Sequence, residues 1–383
     1  MAVIKRVRLS EIAELVTKGT TPTTLGYEFQ DTGVNFLKIE CFSEKGDYIQ
    51  NKATHISEEC HEKLKRSQLK EGDILFSIAG VIGRVAIVTR NMLPANINQA
   101  LAIIRIKKDD IYLPYVKLIL TSPLIKKQFE RKKQGVAQLN ISLKDINDLE
   151  IPLPEIGKQI EYANSFKKVE KLIYTRQYQL QKLDELVKAR FVEMFGDRYV
   201  NDKNWNTTRL GNSISFNNGK AHEQIVDENG EYILVTSRAI ASNFKDVRRT
   251  NELLSPLRKD DIVMVMSDVP NGRALAKCQL IKDNNKYTLN QRICSFDNYN
   301  YNPVFLLFLL SRHPYFLSFN DGNGQTNLRK NDILDCELID PPIELQEQFA
   351  DFVSQVDKSK VAVQKSLDEA QLLFDSLMQQ YFG

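Results

Sequence analysis

The stretches QIEYANSFKKVEKLIYTRQYQLQKLDELVKARFVEMFG (residues 159–196) and QEQFADFVSQVDKSKVAVQKSLDEAQLLFDSLMQQYFG (residues 346–383) align without a gap at a constant offset of 187. The identical pairs are Gln159/Gln346, Ala163/Ala350, Val169/Val356, Lys171/Lys358, Gln177/Gln364, Leu180/Leu367, Leu186/Leu373, Phe195/Phe382 and Gly196/Gly383. Neither stretch contains a proline, nor a glycine before its last residue, and each follows a proline punctuator, Pro152-Leu153-Pro154 or Pro341-Pro342. Both therefore read as long helices. With Phe166 at heptad position a, the first carries Phe166, Ile173, Leu180, Val187 and Met194 at a, and Val169, Arg176, Leu183 and Arg190 at d. In the same register the second carries Val353, Lys360, Leu367, Phe374 and Tyr381 at a, and Val356, Val363, Ala370 and Leu377 at d. Seams sustained over four heptads argue for coiled-coil packing. Residues 155–196 hold 8 Lys+Arg against 6 Asp+Glu, and residues 341–383 hold 3 against 7. The opposite signs make each helix the expected partner of the other, and two amphipathic helices each packed on its own domain are the alternative. Paired, the 38-residue segments would form a spacer about 57 Å long.

Upstream the repeat continues at drifting offsets. Arg8-Leu9 answers Arg209-Leu210, Gly72-Asp73-Ile74 answers Asp260-Asp261-Ile262, Gly83-Arg84 answers Gly272-Arg273, and Asn98-Gln99 answers Asn290-Gln291. Pro114, Ser122, Gly135 and Leu139 answer Pro303, Ser311, Gly324 and Leu328 at the single offset 189. The chain is thus expected to run domain 1–154, helical segment 155–196, domain 197–340, helical segment 341–383. The two domains read as mixed α/β, an α+β arrangement. Short β-rich runs (Val34–Ile39, Ile74–Ile78, Val85–Thr89, Leu101–Ile106) are echoed by Tyr232–Thr236, Ile262–Met266 and Arg292–Phe296, with helical text after Pro114 and Pro303.

With 383 residues, 42% hydrophobic and 26% charged, the chain can bury two ordinary cores. No apolar run is long enough for a membrane span, and the first residues lack a signal-peptide h-region, so a cytoplasmic protein is expected. Cys41, Cys60, Cys278, Cys294 and Cys336 are scattered without C-x-x-C spacing, which fits reduced thiols. His55, Cys60 and His61 carry only a faint hint of a metal, and solvated loop positions are the expected reading; no metal and no cofactor are assigned. Gly211 to Lys220 has the wrong spacing for a nucleotide-binding loop, with Ala221 where a hydroxyl belongs. Asn302-Pro303-Val304-Phe305 resembles the N-P-P-F/Y motif of amino-methyltransferases, but Leu113-Pro114-Tyr115-Val116 lacks the amide and a helix start explains both.

Binding chemistry remains. The net charge of +3 is small, but residues 1–154 hold 23 Lys+Arg against 18 Asp+Glu, while residues 197–340 hold 18 of each. The loops 79–84 and 268–273 each set an arginine, Arg84 or Arg273, after a glycine; such an arginine can grip guanine or phosphate, and a plain turn between strands is the alternative. Two amide-rich loops follow, with Gln134, Gln138 and Asn140 in one and Gln325, Asn327 and Arg329 in the other; Asn and Gln can pair with adenine in the major groove. Lys126, Lys127, Arg131, Lys132 and Lys133 precede the first of these as a candidate phosphate anchor, or else a solvated helix face.

In this order the chain resembles the specificity subunits of type I restriction-modification systems. The likeness covers the whole length and rests on Gly72-Asp73-Ile74-Leu75, Ala79-Gly80 with Gly83, Asn98-Gln99, and Gly135, Leu139 and Ile141 running into Ile151-Pro152-Leu153-Pro154 and Gln159. The second half departs at Asp268 to Arg273 and at Ile339-Asp340-Pro341-Pro342. The resemblance implies two target-recognition domains that read a bipartite, asymmetric site in double-stranded DNA. It implies an antiparallel coiled coil between them, and docking of two methyltransferase and two restriction subunits that carry the adenine-methylating and ATP-driven chemistry. It gives this chain no catalytic step of its own. The rival reading from another class is a repeat-built protein-interaction scaffold without DNA specificity.

Overall fold

The computed structural model describes residues 5–107, 110–132, 141–222 and 225–382. The chain divides into two units, residues 1–176 with 366–383, and residues 177–365. Each predicted helical segment is one uninterrupted helix, Ile156–Phe195 and Ile343–Phe382. The division between units falls inside both helices rather than at their ends, so each unit owns half of each. No helix among the described residues is long and apolar enough to cross a membrane.

Unit 1 holds a four-stranded antiparallel sheet in the order Ala13–Lys18, Leu101–Ile106, Ile74–Ser77, Val85–Ile87. A three-stranded sheet places Val34–Leu37 between antiparallel Thr54–Ile56 and parallel Ala95–Ile97. The run Ile74-Leu75-Phe76 is apolar throughout because its sheet is covered on both faces. Ile74 and Phe76 face the core shared with the helices Leu113–Leu120 and Pro123–Lys132, whereas Leu75 faces the core beneath the second sheet. Alternation along a strand sends neighbours to opposite faces, so a doubly covered strand loses its polar half. Arg6–Arg8 pairs with Glu150–Pro152 and delivers the chain into the long helix.

Unit 2 repeats this plan. Its four-stranded sheet runs Ser215–Asn218, Ile293–Asp297, Ile262–Val265, Cys278–Leu280. Its three-stranded sheet sets Tyr232–Val235 between antiparallel Arg248–Thr250 and parallel Tyr287–Leu289, and Thr207–Arg209 pairs with Glu337–Ile339. Ile262 and Met264 face one core, Val263 and Val265 the other. Close backbone approaches are reproduced too: a Cβ on Gly19 would collide with the carbonyls of Ile97 and Asn98, and one on Gly219 with those of their counterparts Leu289 and Asn290. Gly219 is thus a packing glycine.

The two halves differ where a buried charge is handled. In unit 1 the Asp73 carboxylate, 1% exposed, receives Nε and Nη2 of Arg105 at 2.7 Å each. The ladders Ile74↔Ile104 and Ile262↔Phe296 make Asp261 the counterpart of Asp73 and Asp297 that of Arg105. Burial, reinforced by the charge of Asp297, pushes the Asp261 carboxyl above the usual carboxylate range.

The helix halves pack within their own units. In unit 1, Phe166 meets Phe374 edge-on at 5.3 Å between ring centroids, and Tyr162 meets Tyr381 at 4.3 Å. Val169 and Ile173 lie against Ala370, Leu367 and Leu377. In unit 2, Phe191 and Phe195 meet Phe349 at 5.4 and 5.7 Å. The start of one helix therefore sits beside the end of the other, an antiparallel arrangement. Phe166, Val169, Ile173, Val187, Val353 and Val356 are buried, and Leu180, Leu183, Val363, Leu367, Phe374 and Leu377 are half-buried. The sign argument fares differently. In unit 2, Lys360 of the acidic helix grips Asp184 of the basic one at 2.8 Å, a local pairing opposite to the bulk charges.

The helix-start reading of Asn302 holds, whereas the common offset of 189 and the solvated-loop reading of Cys60 and His61 need correction. Asn302 Oδ1 accepts from Val304 N and Phe305 N, so this amide is a helix cap. Pro303 is the first residue of its helix and Pro114 the second of its own, a register one residue away from the common offset of 189. Cys60 is fully buried and His61 is bonded to Asn96 Oδ1, so neither is a solvated loop position. No cluster of metal-ligating side chains occurs among the described residues. All five cysteines are buried free thiols, and burial pushes that of Cys336 up to about 12.

Candidate nucleic-acid interface

Gln159 and Gln346 anchor the long helices to the domains. Gln159, 1% exposed, accepts from Tyr112 N at 2.9 Å and donates to Pro154 O at 2.8 Å and Asp110 O at 3.1 Å. Gln346, 2% exposed, accepts from Asn302 N at 2.9 Å and donates to Pro341 O at 2.8 Å. Tyr112 and Asn302 are the N-caps of the helices Leu113–Leu120 and Pro303–Leu310. A buried amide that satisfies several backbone groups at once tolerates no apolar substitute, which explains its recurrence in both copies.

In unit 2 the loop that carries Arg273 and the loop that carries Gln325 and Asn327 join. Ser267–Asp268 pairs with Thr326–Asn327 in a short antiparallel ribbon. The Asp268 carboxylate accepts from Val269 N at 2.9 Å, Ala274 N at 2.7 Å and Leu275 N at 3.0 Å, so the loop is folded around one side chain. Gln325 Nε2 donates to Ser267 Oγ at 2.7 Å. Thr326 and Leu328 point inward, whereas Gln325, Asn327 and Arg329 are exposed, as strand alternation requires. Arg273 is exposed as well, and its carbonyl is held by Arg312 Nη1 at 2.7 Å. Lys330 lies over the Phe216 ring at 5.4 Å. Arg273, Gln325, Asn327 and Arg329 thus stand on two adjoining loops.

Unit 1 treats its arginine otherwise. Arg84 Nη1 donates to Phe42 O at 2.8 Å and Ile39 O at 3.2 Å. The ladders Phe76↔Val85 and Met264↔Cys278 make Lys277, not Arg273, the counterpart of Arg84. Lys277 performs the same bracing, with Nζ donating to Ala241 O at 2.8 Å. Burial and the nearby Arg312 push the Lys277 ammonium below the usual lysine range. The Gly83-Arg84 to Gly272-Arg273 match is therefore a coincidence of dipeptides, and Arg84 ties two segments of its own unit together. Leu328 likewise corresponds to Ile141 rather than to Leu139: Leu328 N donates to Met266 O at 2.8 Å, and Ile141 N to Ile78 O at 3.2 Å.

The basic run stands on the helix Pro123–Lys132. Leu124, Ile125 and Phe129 are buried in the core, which turns Lys126, Lys127 and Arg131 outward. Gln128 locks this orientation by exchanging two hydrogen bonds with the Glu150 backbone, at 2.8 and 3.0 Å. The backbone of Lys132 closes the helix. Lys133, Gln134, Gln138 and Asn140 lie outside the described residues. The organising roles of Asp268 and Gln128 went unnoticed in the sequence, because neither stands in a repeated pattern.

The sequence model of the type I restriction modification DNA specificity domain matches the chain twice, over residues 3–185 and 202–370. The specificity subunit of the EcoBI type I restriction enzyme of Escherichia coli is 32% identical over 142 residues. That match takes in 37% of this chain and 28% of the relative, so the chain spans about a quarter of the curated relative it matches. Among solved structures, a chain described under complex assembly and conformational transition of the type I R-M system superposes with a TM-score of 0.66. It is 14% identical, over 99% of this chain and 97% of the other. A type I restriction-modification S subunit from M. genitalium superposes with a TM-score of 0.53 at 13% identity, over 100% and 97%. These two likenesses concern the fold. Matched twice across most of its length, the chain belongs to the type I restriction-modification DNA specificity family.

Proposed function

We propose that this chain selects a bipartite, non-palindromic site in double-stranded DNA, one half through residues 1–154 and the other through residues 197–340. In this reading the long helices hold the readers and receive two methyltransferase and two restriction subunits, which perform the chemistry in the cytoplasm. The observation that carries it is the contrast within the repeat. Two units of one topology share their helix anchors, Gln159 and Gln346, yet present different surfaces. Unit 2 offers Arg273, Gln325, Asn327 and Arg329 on two loops joined by one ribbon, and unit 1 offers Lys126, Lys127 and Arg131. Amides and arginines suit base edges, and outward lysines suit phosphates.

A binding titration against duplexes at several salt concentrations tests the reading. Affinity should fall steeply with salt, because phosphate neutralisation releases counterions, and should keep a sequence preference at every salt. Binding that ignores salt, or sequence, would refute it. Inserting one heptad into each long helix should lengthen the unread spacer between half-sites, and an unchanged spacer would refute the role given to the helices.

A further inference from the structure

Each unit turns one valine out to solvent at the tip of an otherwise tied-down loop. Val81 is 57% exposed and Val269 is 63% exposed. A single exposed valine is ordinary. Here the same residue type stands at the same spacing from the central strand, after Ser77 in one unit and Val265 in the other, although the loops differ in length and composition.

Both loops hold the valine rigidly. In unit 1 the Ser77 hydroxyl accepts from Arg84 N at 2.9 Å and donates to Val81 O, while Gly83 N donates to Ser77 O at 3.1 Å. Gly80 and Gly83 take left-handed φ of 70° and 85°, and the adjacent Ile82 packs on the core, leaving Val81 as the side chain that faces out. In unit 2, Asp268 Oδ1 accepts from Val269 N, and Gly272 N donates to Val269 O at 2.9 Å across a turn with Pro270 and the left-handed Asn271 (φ 55°). A β-branched side chain with stiff χ1 on a fixed backbone loses little freedom on contact. Asp268, the residue before Val269, pairs with Thr326, which lies between Gln325 and Asn327, and these amides suit the N6 and N7 edge of adenine. The partner of adenine presents the one apolar group of the major groove, the thymine C5-methyl.

We propose that Val81 and Val269 are specificity-determining residues, each packing against a thymine methyl in the half-site read by its own unit. This rests on the DNA-reading function proposed above, and the test separates the two. The full chain, assembled with its methyltransferase subunits, is titrated against duplexes in which each thymine of the site is replaced singly by deoxyuridine, which lacks only the methyl. The wild type should weaken about fourfold at one position in each half-site, the worth of one buried methyl group. Val269→Ala should bind the thymine duplex about fourfold more weakly and become indifferent to deoxyuridine at one of those positions, keeping its sensitivity at the other; Val81→Ala should do the converse. Both variants should unfold at the wild-type temperature. A wild type with no deoxyuridine-sensitive position, or a penalty that persists in both alanine variants, overturns the inference while sequence-specific binding stands. Loss of sequence preference in the wild type itself overturns the DNA-reading function instead.

Discussion

Replacing Gln346 by leucine keeps the volume of a buried side chain and deletes its polar end. Two buried backbone groups, Asn302 N–H and Pro341 C=O, then lose partners now at 2.9 and 2.8 Å. Each unsatisfied group costs about 1–3 kcal/mol, so Gln346→Leu should destabilise the protein by roughly 3 kcal/mol. For a unit of this size that lowers the thermal midpoint by about 6–12 °C. The chain's one tryptophan, Trp205, belongs to the same unit and donates from Nε1 to Phe195 O at 2.9 Å, so its fluorescence reports the transition directly. Gln355→Leu, an exposed position on the same helix, is the control and should move the midpoint by no more than a degree or two. Equal shifts for the two variants would refute the view that buried glutamines anchor the long helices.

Arg105→Met should cost about 3–5 kcal/mol in chemical denaturation, because it strands the Asp73 carboxylate in the core of unit 1; a loss under 1 kcal/mol would contradict this. His313, buried and lowered to about 4, accepts from Tyr315 N at Nδ1 and faces Arg198 O with Nε2, an arrangement suited to the neutral ring. Its folded pKa lies below the unfolded 6.5, so the unfolded chain takes up the proton first and stability falls as pH drops from 6.5 towards 4. The slope is about 1.4 kcal/mol per pH unit, about 3 kcal/mol in all. Urea midpoints across that window should show the loss, and His313→Gln should flatten it. Replacing Lys126, Lys127 and Arg131 together by glutamine should leave the fold intact and make the log–log salt dependence of DNA binding shallower by up to about 3, which a salt titration reads directly.

The long helices were legible because an uninterrupted seam leaves only one way to bury Phe166, Ile173, Val353 and Val356. Strands such as Leu101–Ile106 were legible for a related reason, since a sheet covered on both faces writes itself as a solid apolar run. The short parallel strand Ala95–Ile97 was not, being three residues long and next to Pro94. Loop equivalence failed most instructively. The ladder, not the dipeptide, fixes what corresponds to what, and the strand after the loop resumes at Val85 in one unit but only at Cys278 in the other, which sets Arg84 against Lys277. Arg273, Gln325 and Asn327 were recognisable as polar loop residues, whereas the joining of their two loops depends on the Ser267–Asn327 pairing, which no local pattern announces.

The most direct test of the account is methylation mapping in a host that carries the system, with this chain and with a version whose residues 1–150 come from another member of the family. The account predicts a two-part motif in which the exchange rewrites one half and leaves the other half unchanged. A change in both halves, or in neither, would contradict it.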